Sequence, residues 1–248
     1  MNTAPASPPT VLLEAKALCA WYGAAQILFD VALQVRRGEV VALMGRNGAG
    51  KSTTLKALMG LVQRRGSVVF LGQDVSAREA HHAARLGLGF VPEDRRVFTD
   101  LTVLENLEVG RQAPRRWPDG TAVPVWTAER VFQLFPNLGD MPNRLAGRMS
   151  GGEQQMLTVA RTLMGNPCVV LLDEPSEGIA PVIVDQMVQM ILTLKSQGVS
   201  ILLSEQNLHF AGLVADRAYV LEKGQIRFEG TLAELTAQDD VRRAHLGV

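Results

Sequence analysis

Val40-Val41-Ala42-Leu43-Met44-Gly45-Arg46-Asn47-Gly48-Ala49-Gly50-Lys51-Ser52 is the stretch that decides the fold. Its first five residues are apolar without alternation and too few for a helix, which predicts a parallel strand covered on both faces. The next eight match G-x-x-x-x-G-K-[ST] at every required position, and a helical pattern runs on from Lys51 to Leu61. Glycines at 45, 48 and 50 let successive backbone N–H groups, with those of Arg46, Asn47, Ala49 and Thr53, turn toward phosphate oxygens. The new helix offers its positive end to the same anion. Lys51 brings a full charge to the β- and γ-phosphates, and the Ser52 hydroxyl suits Mg²⁺. A strand before and a helix after the motif favour a nucleoside triphosphate site over a plain connecting turn.

Working outward, Val169 to Leu172 is a second apolar run, and it ends in Asp173-Glu174. A strand carrying two acids at its C-terminal end places Asp173 to hold Mg²⁺ through water and Glu174 to orient or deprotonate the attacking water. Ser200 to Leu203 reads as a third buried strand, and Leu86 to Val91 as a strand ending at Pro92. Val11 to Leu18 reads as an edge strand meeting a turn at Trp21-Tyr22-Gly23. Leu28 to Val35 and Val68 to Leu71 are further strands, and Gly72 to Ser76 a turn into a helix. Helical spacing marks Thr102 to Val109, Ala128 to Phe135, Gly152 to Met164 and Val182 to Gln197. Ala218 to Leu221 and Gln225 to Phe228 form a hairpin, and Leu232 to Leu246 a charged helical tail. Between 112 and 125, Pro114, Pro118 and Pro124 predict an irregular surface loop. Strands alternating with helices give an α/β fold with a mainly parallel sheet.

Lys plus Arg and Asp plus Glu each number 25, so the chain lacks the basic footprint of a general nucleic-acid binder. Cys19 and Cys168, and the histidines at 81, 82, 209 and 245, show neither metal spacing nor a disulfide framework, which suits a reducing cytosol. No apolar run approaches the length of a bilayer span, and Met1 to Thr10 has no basic-then-apolar order. The expectation is a protein that stays inside the cell and reaches a membrane only by docking onto another protein.

Met149-Ser150-Gly151-Gly152-Glu153-Gln154-Gln155 precedes the acidic strand. Ser150 is placed to cap a helix whose first amides and glycines, Ser150, Gly151 and Gly152, can grip a phosphate. The segment resembles the L-S-G-G-[QE] sequence of the ATP-binding cassette family, with Met149 in place of leucine. The resemblance runs from about Val11 to Gly230. It implies a P-loop NTPase of RecA-like type, with an antiparallel β edge and an inserted helical subdomain. One cassette would span 10–237, with its core at 10–92 and 155–237, the subdomain at 93–154 and a tail at 238–248. It also implies that Tyr22 stacks on adenine, that ATP and Mg²⁺ are the ligands, and that Ser150 to Gly152 reach the nucleotide of a second ATPase subunit. Ser176-Glu177-Gly178-Ile179-Ala180 lies where the family's dimer-contacting loop lies.

Two positions depart from the family pattern. Glu93 stands where a glutamine usually touches Mg²⁺, and Gln206 where a histidine usually contacts the γ-phosphate. An amide donates a hydrogen bond but carries no charge, which predicts weaker stabilisation at Gln206. Val91 to Phe98, Leu101 to Leu107 and Ser204 to Asn207 are similar to the second ATPase of branched-chain amino-acid importers, in which both replacements are usual. The ATPases of urea and short-amide importers are similar too. Glu177 replaces a usual leucine, and 113–125 matches neither pattern. The resemblance implies integral-membrane permease subunits, a second ATPase and, indirectly, an extracytoplasmic solute-binding protein, with this chain peripheral on the inner face. A non-transport cassette ATPase would usually carry two cassettes or coiled-coil insertions, and neither is present. Arg95-Arg96 reads equally as a permease contact or a solvated pair.

Overall fold

The computed structural model describes residues 10–238. In chain order its elements are β1 (Val11–Tyr22), β2 (Ala25–Arg36), β3 (Val40–Met44), α1 (Lys51–Met59), β4 (Gln63–Phe70) and β5 (Gln73–Asp74). Then follow α2 (Ala80–Leu86), β6 (Leu88–Val91), α3 (Val103–Gly110), α4 (Ala128–Leu134), α5 (Pro136–Gly139), α6 (Gly151–Leu163) and β7 (Val169–Asp173). The chain continues through α7 (Pro181–Ser196), β8 (Ser200–Glu205), α8 (Leu208–Val214), β9 (Arg217–Glu222), β10 (Gln225–Thr231) and α9 (Leu232–Ala237). The helical tail expected as far as Leu246 lies outside the described residues beyond 238.

Two sheets form. One has the order β10-β9-β3-β8-β7-β6, parallel from β9 to β6 with β10 antiparallel at its edge. The other is antiparallel, β2-β1-β4-β5. The unbroken apolar runs are explained by what covers them. Val40, Ala42 and Met44 of β3 face one core with Val170 and Leu172 of β7 and Ile201 and Leu203 of β8. Helices α6, α7 and α8 close that side. The alternate residues Val41, Leu43, Val169, Leu171 and Leu202 face a second core, shared with α1 and the antiparallel sheet. A strand with two dry faces needs apolar residues at every position, and these have them.

Local chemistry sets the helix ends. Thr102 and Ser150 each close a capping box, with Glu105 and Glu153. Pro181 opens α7, where a missing N–H costs nothing.

Several expectations are corrected. β1 runs through Trp21-Tyr22, so the turn falls one residue later, and it is an interior strand: Leu13 pairs with Val35 on one side and Phe70 on the other. Alternation reports buried faces and says nothing of the number of hydrogen-bonded neighbours. Gly72 to Ser76 does not lead straight into a helix, because β5 intervenes and α2 begins at Ala80. Leu86 ends α2 instead of opening the strand, since Gly87 at φ +109° breaks the helix there. Helix α8 was not anticipated, although Asn207 caps it through Phe210 N–H at 3.1 Å.

The segment 112–125 is irregular but is not merely a surface loop. Trp117, only 3% exposed, and Val123 enter the second core. Arg37, from the turn before β3, lies 4.4 Å above the Trp117 ring and pairs with Asp119 at 2.5 Å. Prolines exclude regular hydrogen bonding without preventing an aromatic side chain from anchoring a loop. Trp117→Ala is expected to lower unfolding free energy by about 3–5 kcal/mol, measured by urea denaturation. A change below about 1 kcal/mol would return the segment to the status of a loose loop.

Candidate active site

Four strand ends meet at one edge of the parallel sheet. Met44 is level with Glu205, Ser204 with Asp173, and Leu172 with Val91. The residues that follow each strand, Gly45, Gln206, Glu174 and Pro92-Glu93, therefore gather at the same edge although up to 161 positions separate them in sequence. The sheet converts distant sequence into local chemistry.

The glycine turn hugs its neighbours. A Cβ on Gly45 would stand 2.5 Å from the Leu221 carbonyl oxygen, and Gly50 holds φ +107°, which L side chains rarely adopt. Lys51 leaves α1 and folds back over the turn. Its Nζ donates to Gly45 O at 2.9 Å, to Arg46 O at 3.3 Å and to Glu174 Oε1 at 3.0 Å. Lys51 is 3% exposed and Glu174 8%. A largely desolvated ion pair at the mouth of an anion cradle places both groups where a terminal phosphate would lie.

Glu174 carries a left-handed backbone, φ +46°, unusual for a residue with a side chain. Its N–H is held by Ser204, from the hydroxyl oxygen at 3.0 Å and the carbonyl at 3.2 Å. The same Ser204 hydroxyl donates to Asp173 Oδ1 at 2.7 Å. Ser204 thus positions both acids. Burial pushes the Asp173 carboxyl up, against hydrogen bonds from Ser204 and Ser52. Burial also works to raise Glu174, but a hydrogen bond with Glu177 and the Lys51 ammonium hold it below the usual carboxylate range. Glu177 is pushed up to about 7 by its hydrogen bond with Glu174, by burial and by the charges of Glu174 and Glu93. Of the two, Glu174 is therefore the carboxylate that its surroundings favour as the ion, which suits a base.

A cavity of about 450 Å³ opens here. Tyr22, 48% exposed at the end of β1, forms part of its wall together with Asn47, Gly48, Gly50 to Thr53, Glu93, Glu174 and Glu177. Ser52 and Asp173, close enough to hydrogen bond, form a hard oxygen pair of the kind Mg²⁺ takes. Among the described residues no group of three His, Cys, Asp or Glu could hold a metal ion by itself, so phosphate oxygens and water would complete that coordination.

Other residues named from sequence lie elsewhere. Gln206 is exposed at the end of β8 and does not line the cavity. Arg46 contributes its carbonyl, while its side chain is exposed. Ser150, Gly151 and Gly152 sit at the first turn of α6 and also do not line it. Three residues were missed. Ser204 and Glu177 are described above. Glu205, nearly fully buried, accepts from the N–H groups of Ser176, Gln206 and Asn207, each at 3.2 Å. That carboxylate ties the turn after Glu174 to the turn after β8. An acid one residue beyond a buried apolar run was its only sequence signal.

Comparison with known proteins agrees with this geometry. The family described as ABC transporter matches residues 28–177. The chain is 44% identical over 228 residues to the high-affinity branched-chain amino acid transport ATP-binding protein BraG of Pseudomonas aeruginosa, covering 92% of this chain and 96% of that one. It is 33% identical to the lipopolysaccharide export system ATP-binding protein LptB of Haemophilus influenzae, over 95% of this chain and 97% of that one. Among solved structures it resembles the ADP conformation of MJ1267, an ATP-binding cassette of an ABC transporter. That match has a TM-score of 0.77 at 27% identity and covers 94% and 97% of the two chains.

Proposed function

The chain belongs to the ABC transporter family of ATP-binding cassettes, and from that premise we propose that it is the ATP-hydrolysing subunit of a branched-chain amino-acid importer. The observation that carries the chemistry is the buried Lys51–Glu174 pair, 3.0 Å apart beneath the glycine turn. The cargo assignment is supported by the 44% identity to a branched-chain amino-acid transport ATPase, against 33% to an export ATPase.

In this reading Tyr22 stacks on adenine, and residues 45–53 wrap the phosphates. Lys51 turns from Glu174 to the β- and γ-phosphates, which frees the Glu174 carboxylate to take a proton from the attacking water. Mg²⁺, held by Ser52 and through water by Asp173, with Glu93 near it, would neutralise phosphate charge. Gln206 would donate one neutral hydrogen bond from the end of β8. Ser150 to Gly152, lying outside this chain's own cavity, would complete the site of a second ATPase subunit. The proposed organisation is one cassette at 10–237 with a helical subdomain at about 93–154.

Among the described residues no helix is long and apolar enough to cross a membrane. Membrane attachment would therefore come through permease subunits on the inner face. A groove of about 620 Å³, with exposed Phe98 and Val109 on its wall and Arg85, Arg115 and Arg161 along it, is the proposed docking face. The test is reconstitution with permease subunits of a branched-chain amino-acid importer. ATP-driven uptake of leucine, isoleucine or valine, lost in Glu174→Gln, is expected. Uptake of urea or short amides instead would overturn the cargo, and outward transport would overturn the direction.

A further inference from the structure

The turn after β7 carries Glu174 with a left-handed backbone, φ +46°, and then Pro175, which has no N–H to donate. Residues 174–176 therefore offer two backbone donors, those of Glu174 and Ser176. Both go to β8. Glu174 N–H reaches Ser204, its hydroxyl at 3.0 Å and its carbonyl at 3.2 Å, and Ser176 N–H reaches Glu205 Oε1 at 3.2 Å. The strained residue is held on both sides, and one of the two holds is a side-chain carboxylate.

A carboxylate is a costly group to use there. Glu205 is 2% exposed, burial pushes its carboxyl up, and no basic group among the described residues offsets that. What it supplies is two acceptor oxygens on one rigid fork. Oε1 serves the turn after β7, and Oε2 accepts from Gln206 and Asn207 N–H, each at 3.2 Å, in the turn after β8. An amide of the same shape has one acceptor oxygen and serves one turn or the other. The second turn is itself anchored, because Asn207 caps α8 through Phe210 N–H.

We propose that Glu205 is a positioning residue for ATP hydrolysis: it holds the turn after β7 so that the Glu174 carboxylate stays aimed at the attacking water. Before nucleotide arrives, Lys51 Nζ, 3.0 Å from Glu174 Oε1, fixes that carboxylate. When Lys51 turns to the phosphates the ion pair opens, and the backbone clamp is what keeps the base in place. This role rests on the reading of Glu174 as the base. It makes turnover depend on a residue that lines no part of the cavity.

The test compares the full chain with Glu205→Gln, whose side chain fills the same space. Steady-state phosphate release gives kcat and KM, and titration calorimetry the Kd for ATP. kcat is expected to fall by about 10- to 100-fold, the cost of misplacing a reacting group by about 1 Å, with KM and Kd within a few-fold of the parent. Glu205→Asp, which keeps both oxygens on a shorter arm, is expected to fall between. Glu205→Gln is then added to the Glu174→Gln chain, and phosphate release is followed with enzyme in excess of ATP. No further loss is expected there, because the group that Glu205 positions is gone. An equal loss in both backgrounds, an unchanged kcat, or loss of ATP binding in both Glu205 variants overturns the positioning role. Glu174→Gln activity within tenfold of the parent overturns the base itself, and the role of Glu205 with it.

Discussion

Glu174→Gln is expected to reduce ATP hydrolysis by about 10²- to 10⁴-fold while leaving ATP binding within a few-fold of the parent. The range is the usual contribution of a positioned general base. The amide keeps the shape of the carboxyl and an acceptor for Lys51, which stands 3.0 Å from Oε1, so the cradle is undisturbed. What disappears is proton affinity. Glu174 is the group whose surroundings hold it ionised, because Lys51 and the acid form of Glu177 both favour its charge. Binding without turnover should then accumulate the ATP-bound state, seen as a dimer by light scattering. Steady-state phosphate release gives the rate and calorimetry the affinity. Activity within tenfold of the parent would move the base elsewhere, with Glu177 the first alternative, since its carboxyl shares the proton of the pair.

Lys51→Met carries the second large effect, this time on binding. The methionine keeps the apolar stem and removes three N–H donors. In the structure these bond Gly45 O, Arg46 O and Glu174. With nucleotide bound they would address two phosphates at about 1.5–3 kcal/mol each, so the Kd for ATP is expected to rise by about 10²- to 10⁴-fold. Titration calorimetry measures it. Lys51→Met also strands the buried Glu174 carboxylate, whose pKa should climb. The double variant Lys51→Met/Glu174→Gln should therefore fold more stably than Lys51→Met alone, as read by thermal melting. ATP affinity within a few-fold of the parent would show that the backbone amides bind the phosphates without the ammonium.

The two variants separate because the geometry separates their tasks. Lys51 belongs to the cradle, whose shape is built by residues next to it in the chain. Glu174 belongs to a different strand and comes to Lys51 only through the sheet order, with β8 between β3 and β7. Ser204, on that middle strand, touches both acids. A Ser204 substitution would thus act on Mg²⁺ coordination and on the base together.

Much of this was legible beforehand, and for a physical reason. In 45–52 and 169–174 each residue's role depends on neighbours within a few positions, so composition and spacing suffice. Both apolar strands, both acids and the glycine turn lie where the sequence placed them. Ser150 as a helix cap was readable on the same grounds. Tertiary structure alone decided the rest. It made β1 an interior strand, sent Trp117 from a proline-rich loop into the core, and gave Glu205 its three N–H partners. It also laid Arg95 over Gly151, which lies 56 positions further along the chain. Local pattern encodes which backbone a residue adopts and which face it buries. Which distant charge, ring or amide it then meets depends on how whole elements stack, and that is a property of the folded chain.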